Sequence, residues 1–272
     1  DTTFHNVLTA TDEMSRVTTF TYDAYGNELT RQDNAGSTWT TSYSGRSDGL
    51  PTSITSPDPD GAGPLSAYVT SFSYDSYGQL TTTTFPDSST QVLAYNSAGM
   101  VTSVTDELGN VTAYAYDALN RATSITGADP DGAGALSAPV TSLTWDAASN
   151  LLTQTDALGN VTSLEYDGRN RLVTKTLPDP DGAGGNVAPE VTYAYDAAGN
   201  LTSEGYVVFG SAIVHTYDPY GRRLSTTQGV SGKSDVWTYD VLGRMTSYTS
   251  SLHNPGVLDQ METWEYDSRG QV

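Results

Sequence analysis

The sequence contains no cysteine, which excludes a disulfide framework, a cysteine-based metal site and a thiol nucleophile. Basic residues are scarce: 12 Lys and Arg stand against 32 Asp and Glu, giving a formal net charge of −20. Without a basic patch to neutralise phosphates, nucleic acid is not expected as a partner. Hydrophobic residues make up 36% of the chain. Because no apolar run approaches the ~20 residues that cross a bilayer, membrane insertion is not expected either.

Signatures of catalysis are equally sparse. The sequence has no His-Glu-x-x-His zinc motif and no phosphate-binding Gly-x-x-x-x-Gly-Lys loop. Its histidines are His5, His215 and His253, and His215 lies two residues before Tyr217, in the position of a strand side chain. We interpret His215 as a packed residue rather than a general base, and we expect the chain not to be an enzyme.

One phrase recurs about ten times: an aromatic residue, Asp or once Asn, two variable residues and usually Gly. Clear copies occupy 22–26, 74–78, 195–199, 217–221, 239–243 and 266–270, and weaker copies begin at Tyr95, Tyr116, Trp145 and Tyr166. The period is 21 or 22 residues wherever no loop is inserted. A fixed period of this length is typical of repeat proteins, in which each unit buries its apolar face only against its neighbours.

A second turn signal occurs about halfway along the repeat, for example at 106–110. In both signals Asp can accept backbone amides, and Gly three residues later can adopt the left-handed conformation of a bulged hairpin. Between turns, large side chains such as Tyr114 and Tyr116 alternate with small or polar ones, the period of a half-buried strand. We therefore predict two strands per repeat, an all-β fold, and stacking of aromatic pairs from one repeat to the next.

Residues 1–272 are predicted to form a single array of antiparallel β-hairpins, one continuous curved or spiralling sheet. Loops are inserted near 57–66, 129–138, 179–189 and 250–262. The array starts and stops within the repeat pattern, so we expect a fragment of a longer protein. Its open edge strands favour self-association or pairing with the remainder of the same chain.

Three inserts share the sequence Asp-Pro-Asp-Gly-Ala-Gly. Paired carboxylates before glycines resemble the start of a calcium loop. Calcium binding is therefore a hypothesis for their aspartates, Asp58, Asp60, Asp129, Asp131, Asp179 and Asp181. The alternative is a rigid acidic surface loop, because the acid at the twelfth position of an EF-hand loop is present only in the third copy, as Glu190. No other cofactor is expected.

The phrase Tyr-Asp-x-x-Gly-Arg/Asn-Leu, followed by Thr-Asp-x-x-Gly-Asn-Val-Thr-x-Tyr-x-Tyr-Asp, is seen best at 106–117 and 156–167. It resembles the YD repeat of Rhs proteins, teneurins, wall-associated proteins and the Tc-toxin BC component. The resemblance covers essentially the whole chain. It implies a long ribbon of β-hairpins that spirals into a hollow shell, in bacteria commonly around a C-terminal toxic domain.

Two motifs are interpreted as turn chemistry and not as sites. In the Rhs and Tc proteins, aspartates in an Asp-Pro-x-Gly type context cleave the chain, but the match at 218–221 is in register with the other turns and is followed by further repeats. Asn110, Asn160 and Asn200 fit the glycosylation acceptor pattern, yet each directly follows a turn Gly, where Asn is favoured for backbone reasons.

Two functions of different classes are compatible with the sequence. The first is a structural segment of a secreted or surface shell that encloses a cargo polypeptide, as the resemblance implies. The second is an extracellular adhesion or carbohydrate-binding module, in which exposed aromatic stripes contact glycans or another cell surface. Both place the protein outside a cell or on its surface. Turn aspartates explain most of the acidity without a catalytic role.

Overall fold

The computed structural model describes residues 6–45, 48–61, 65–132, 134, 136–182, 184–207, 210–229, 231–251, 260–267 and 269–271. Two compact units divide the chain, Asp1–Val140 and Thr141–Val272. Among the described residues the regular elements are β-strands and no α-helix occurs. The described part also contains no helix long and apolar enough to cross a membrane.

In the first unit the strands follow one another at short, regular intervals. They are β1 Thr9–Thr11, β2 Val17–Tyr22, β3 Glu28–Gln32, β4 Thr38–Tyr43, β5 Pro51–Thr55, β6 Val69–Tyr74, β7 Leu80–Thr84, β8 Thr90–Tyr95, β9 Val101–Thr105, β10 Val111–Tyr116 and β11 Ala122–Thr126. Each strand pairs in antiparallel fashion with the next one along the chain. Because consecutive strands are neighbours, this unit is a meander built from successive hairpins.

The second unit repeats the arrangement. Its strands are β12 Val140–Trp145, which begins at the boundary residue, β13 Leu151–Thr155, β14 Val161–Tyr166, β15 Leu172–Thr176, β16 Glu190–Tyr195, β17 Leu201–Tyr206, β18 Ser211–Tyr217, β19 Arg223–Gln228, β20 Ser234–Tyr239, β21 Met245–Ser251 and β22 Gln260–Thr263. These strands also pair with their sequence neighbours, all antiparallel. The all-β fold of tandem hairpins is therefore confirmed. The inserted loop near 250–262 lies mainly outside the described residues.

Up to β21, each Tyr-Asp turn joins an even-numbered strand to the following odd-numbered one. Within each unit these turns therefore form a row at one end of the strands. We call this row the YD edge. The second turns and the inserts lie along the opposite edge, the insert edge. In each YD hairpin the register shifts by one residue at the aromatic residue, as between Ala115 and Tyr116. This bulge accommodates the five-residue loop that starts at the aspartate.

The two faces of each unit differ in side-chain size, because neighbouring strand residues point to opposite faces. One face carries large cross-strand pairs such as Leu93 with Val104 and Trp237 with Tyr248. The opposite face is rich in hydroxyls, and the Oγ1 atoms of Thr144 and Thr153 lie 2.6 Å apart across strands.

None of the described hydrophobic residues is buried, and the buried residues there are Thr83 and His215. The described strands of each unit therefore form a single layer, and no described element of that unit covers either face. A layer of this kind is held together by cross-strand pairs and turns, so contacts between successive hairpins decide its stability.

Candidate functional site

Each Tyr-Asp turn is closed by its own aspartate. In the turn at Asp167, Oδ1 accepts the backbone N–H groups of Arg169 at 2.8 Å and Arg171 at 3.1 Å, while Oδ2 accepts Nε of Arg171 at 2.7 Å. The Asp167 N–H donates to the Arg171 carbonyl at 2.9 Å. Asn170 takes the left-handed conformation with φ +60°, a position that glycine fills in most other turns. The predicted roles of the turn Asp and Gly are confirmed.

The residue four positions after the turn aspartate supplies the side-chain donor to Oδ2. Gln79 donates to Asp75 at 2.8 Å. The three glycosylation-pattern asparagines do the same, since Asn110, Asn160 and Asn200 donate through Nδ2 to Asp106, Asp156 and Asp196, each at 2.8 Å. Their amides therefore complete the turn, which accounts for their place in the repeat.

The tyrosine hydroxyl makes the recurring contact between hairpins. Tyr116 donates to the carbonyl of Val101 at 2.7 Å, and Val101 is the first residue of the second strand of the preceding hairpin. The same bond joins Tyr22 to Val7, Tyr43 to Glu28, Tyr95 to Leu80, Tyr195 to Leu172, Tyr217 to Leu201, Tyr239 to Arg223 and Tyr266 to Met245. A ring–ring contact is resolved between Trp237 and Tyr248, within one hairpin. In the part of the chain that the structure describes, the recurring link between repeats is therefore the hydroxyl-to-carbonyl bond and not the predicted stacking of aromatic pairs.

Turn arginines add a second link between repeats. Arg171 pairs with Asp167 in its own turn and lies over the ring of Tyr195 in the next repeat, with the guanidinium carbon 4.4 Å from the centroid. Arg222 lies over Tyr239 at 4.8 Å. Arg244 likewise lies over Tyr266, at 4.4 Å. Each such arginine joins the carboxylate of one turn to the aromatic ring of the following one.

Hydrogen bonding keeps the turn carboxylates charged. Donation from the Arg171 side chain, then from its backbone amide, lowers the pKa of Asp167 to about 2. The side chain of Asn110 is the main cause of the lowered pKa of Asp106. At Asp218, burial pushes the pKa upward, but hydrogen bonds from Arg222 outweigh it and the pKa is lowered. A carboxylate held in its ionised form by such bonds stabilises a turn and is a poor proton donor.

His215 is buried in the sheet, with 6% of its surface exposed, and its Nδ1 lies 2.9 Å from Thr226 Oγ1 on the neighbouring strand. Burial first, and then the nearby Arg223, lower the pKa of His215. This is a packed strand position, as the sequence indicated. His5 and His253 lie outside the described residues.

The turn at Asp218 has the same hydrogen bonds as the other Tyr-Asp turns. The Gly221 N–H donates to the Asp218 carbonyl at 3.0 Å, and the Asp218 carboxylate accepts the Arg222 N–H at 3.0 Å. Pro219 occupies a turn position that requires no N–H donor. The Asp-Pro-x-Gly match is thus an ordinary member of the YD edge.

The insert aspartates are engaged within their own loops. In the second copy, Asp129 Oδ1 accepts the Asp131 N–H at 3.2 Å and Asp131 Oδ2 accepts the Leu136 N–H at 3.1 Å. The pairs Asp58 with Asp60 and Asp179 with Asp181 have the same bond at the same distance. In each loop the first carboxylate accepts the backbone N–H of the second aspartate, and the described residues contain no group of three acidic or histidine side chains placed to hold a metal. Calcium binding at these aspartates stays a prediction.

Sequence reasoning missed the tyrosine hydroxyl bond and the arginine–tyrosine contact. The sequence does contain a signal for the arginine–tyrosine contact. Arg is the fifth residue of a turn, counted from its aspartate, at Arg171, Arg222 and Arg244, and another Tyr-Asp repeat follows each of them. Sequence reasoning also missed the residues that depart from the repeat along the insert edge, Tyr68, Phe85 and Glu107.

A family model described as the RHS repeat matches residues 3–38, 95–133 and 145–183. Among solved structures, the crystal structure of TcdB2-TccC3 without its hypervariable C-terminal region is similar, with 16% identity and a TM-score of 0.60 over 94% of this chain. The match covers 16% of that chain, so the present sequence spans about one sixth of its length. At this identity the likeness concerns the fold alone.

A Photorhabdus luminescens Tc holotoxin pore containing TccC3 gives a weaker superposition. Its identity is 15% and its TM-score 0.39, over 94% of this chain and 19% of that one. This second likeness is too low to support an argument. No curated protein matches the chain at a significant level.

Proposed function

We propose that this chain, of which residues 3–38, 95–133 and 145–183 match the RHS repeat, is one stretch of the wall of a β-shell that encloses a cargo polypeptide. The family is structural, and the chain is a structural repeat segment. The cargo would be another part of the same, longer chain. Secretion or display at a bacterial-type cell surface is part of the same proposal.

The observation that carries the proposal is the absence of a buried hydrophobic residue among the described ones. A globular binding domain of this mass would normally form a closed core, because burial of apolar surface is its main source of stability. Each unit instead forms a single layer whose stability comes from one hairpin bonding to the next. Such an arrangement covers a large area with few residues, which suits a wall.

The turn chemistry supports the same role. Asp167 and Arg171 link one turn to Tyr195 of the next repeat, and Tyr116 links its hairpin to Val101 of the previous one. These bonds leave the turn carboxylates committed to structure. The functional surface of the segment is then a face of the sheet, and any catalytic activity would lie in the polypeptide that this face encloses.

Limited proteolysis of the complete protein that contains residues 1–272 tests this proposal. We expect a region outside the repeats to resist protease in the native protein and to be digested at the same protease concentration in urea. Cleavage of that region at equal rates with and without urea would contradict enclosure. If only the repeat region resists protease, the result would support a folded wall but not the enclosure of a cargo.

The alternative is an extracellular adhesion or carbohydrate-binding module, and exposed tyrosines on the YD edge favour it. Tyr77 and Tyr220 are 87% and 85% exposed, and Tyr25 is 54% exposed. Tyrosines held at turn tips can stack on sugar rings. Glycan-array binding that disappears when Tyr77 and Tyr220 are replaced by Ser would favour adhesion, whereas no binding by the native protein would dismiss it.

A further inference from the structure

The insert edge of the first unit departs from the repeat at three consecutive turns. At the first, the insert closes with a bond from the Ser56 N–H to the carbonyl of Tyr68. The other two inserts have a proline at the equivalent bond, Pro139 and Pro189. Tyr68, which is 55% exposed, therefore occupies the position that is proline in the other two copies.

The next two turns depart in the same region. Phe85 opens the turn between β7 and β8, whereas Asp33, Asp106 and Asp156 open the corresponding turns of three other repeats. The turn between β9 and β10 carries Glu107, whereas the turn that matches it at every other position from 156 to 160 carries Ala157. Neither change is needed to close a turn, since the unmodified versions close equally well elsewhere.

The three departures converge on one groove of about 600 Å³. Its apolar lining consists of Tyr68, Phe85, Pro86 and Leu108, and its charged lining consists of Asp87 and Glu107. Leu108 is 87% exposed. Three side chains that the turns do not need for closure therefore line one groove. We call this feature the insert-edge groove.

The lining defines the chemistry of an occupant. Exposed aromatic, proline and leucine side chains favour apolar or prolyl groups of a ligand. The two carboxylates have no basic residue beside them in the lining, and the whole chain carries a formal charge of −20. Positive charge on the ligand is therefore complementary. The lining also contains Ser89, and its carboxylates favour a cationic ligand over a neutral one, so we consider a basic peptide rather than a neutral glycan.

We propose that the insert-edge groove binds a cationic, apolar peptide segment, with leucyl or prolyl side chains against Tyr68 and Phe85 and a Lys or Arg beside Asp87 and Glu107. This site is separate from the proposed wall function. If the groove does not bind such a peptide, the wall proposal is unaffected.

Fluorescence anisotropy with a labelled peptide of repeating Pro-Leu-Lys tests the proposal, alongside the same peptide with Glu in place of Lys. The variant combines Tyr68→Pro, Phe85→Asp and Glu107→Ala, which restore residues that other repeats carry at those positions and so preserve folding. We expect the variant to bind the Lys peptide at least tenfold more weakly than the native chain. The Glu peptide should not bind either protein.

Leu108→Ser and Leu158→Ser are matched controls, because both leucines occupy the same exposed place in the same type of turn and only Leu108 lines the groove. Leu108→Ser should weaken binding and Leu158→Ser should not. Equal affinity of the native chain and the restored variant would overturn the proposal, as would equal binding of the Lys and Glu peptides. Binding of neutral oligosaccharide in place of the Lys peptide would likewise reject it in favour of a glycan site.

Discussion

Arg171 lies over the aromatic ring of Tyr195, with its guanidinium carbon 4.4 Å from the ring centroid, although 23 residues and an inserted loop separate the two in sequence. The same arginine bonds Asp167 in its own turn. One side chain thus connects the turn that it closes to the turn that follows. Stability in a single-layered array depends on such nearest-neighbour links.

Replacing Arg171 by Gln should test this link, together with the bond from Arg171 Nη1 to the Asp196 carbonyl at 3.3 Å. Gln can keep the bond to the turn carboxylate, as Gln79 does with Asp75, but it cannot act as a cation over the ring. We expect the free energy of unfolding to fall by about 0.5–1 kcal/mol in urea denaturation. Arg16→Gln is the control, because Arg16 pairs with Asp12 in a similar turn and its side chain is 60% exposed. Equal losses in the two variants would show that the ring contact contributes nothing.

Tyr116→Phe removes the hydroxyl that bonds the carbonyl of Val101 and keeps the ring. A hydrogen bond of this kind contributes about 1 kcal/mol net, so thermal unfolding should occur at a lower temperature. Tyr77→Phe removes a hydroxyl from a side chain that is 87% exposed, and it should leave the transition unchanged. A smaller effect at Tyr116 than at Tyr77 would refute the hydroxyl-to-carbonyl link.

Acid should destabilise the array through its turn aspartates. The pKa of Asp167 is about 2 in the folded chain, below the ordinary value near 4 expected when unfolded. The unfolded chain therefore binds protons first as the pH falls, so this stabilisation is complete above about pH 4 and is lost toward pH 2. Urea denaturation at several pH values should show a smaller loss over this range for Asp167→Asn than for the native chain. Parallel curves would contradict the assignment.

His215 should add a separate pH dependence at milder acidity. Its pKa is lowered in the folded state, first by burial, so the unfolded chain takes up the proton more readily. Stability should then be constant above about pH 7 and fall as the pH drops below the unfolded pKa of about 6.5. Leu occupies the equivalent strand position at Leu164, so His215→Leu should fold and lose the slope between pH 7 and 5. An unchanged slope would place its origin in another group.

Glycine conformation can be tested at two sites that differ in φ alone. Gly159 has φ +84° and Gly168 lacks a positive φ, and a Cβ added at either would meet no atom within 4 Å. Gly159→Ala should cost about 1–2 kcal/mol because a side chain strains the left-handed conformation. Gly168→Ala should be neutral or stabilising by up to about 1 kcal/mol. Similar effects in denaturant titrations would argue against the turn assignment.

Strands and turns were predictable because their chemistry is local. The alternation of β10, Val111–Tyr116, and the Asp and Gly of its flanking turns specify a hairpin within about 20 residues of sequence. The packed position of His215 followed from the same register. Spacing alone was sufficient for each of these features, since a strand has a fixed side-chain period.

Contacts between hairpins were not predictable in the same way. The bond from Tyr195 to Leu172 spans 23 residues and that from Tyr116 to Val101 spans 15, so no constant spacing marks them. The second glycine of the insert was also unexplained by sequence. An ideal Cβ at Gly134 would lie 1.9 Å from Asp131 Oδ2, so a larger residue there would displace the Asp131 carboxylate, which accepts the Leu136 N–H.

Electron cryomicroscopy of the complete protein that contains residues 1–272 tests the central claim most directly. The wall proposal predicts that the hairpins of this segment form part of a continuous single-layered shell, with separate density of the same chain enclosed by it. A repeat region that lies as an open ribbon, with both faces in solvent and no enclosed density, would contradict the proposal.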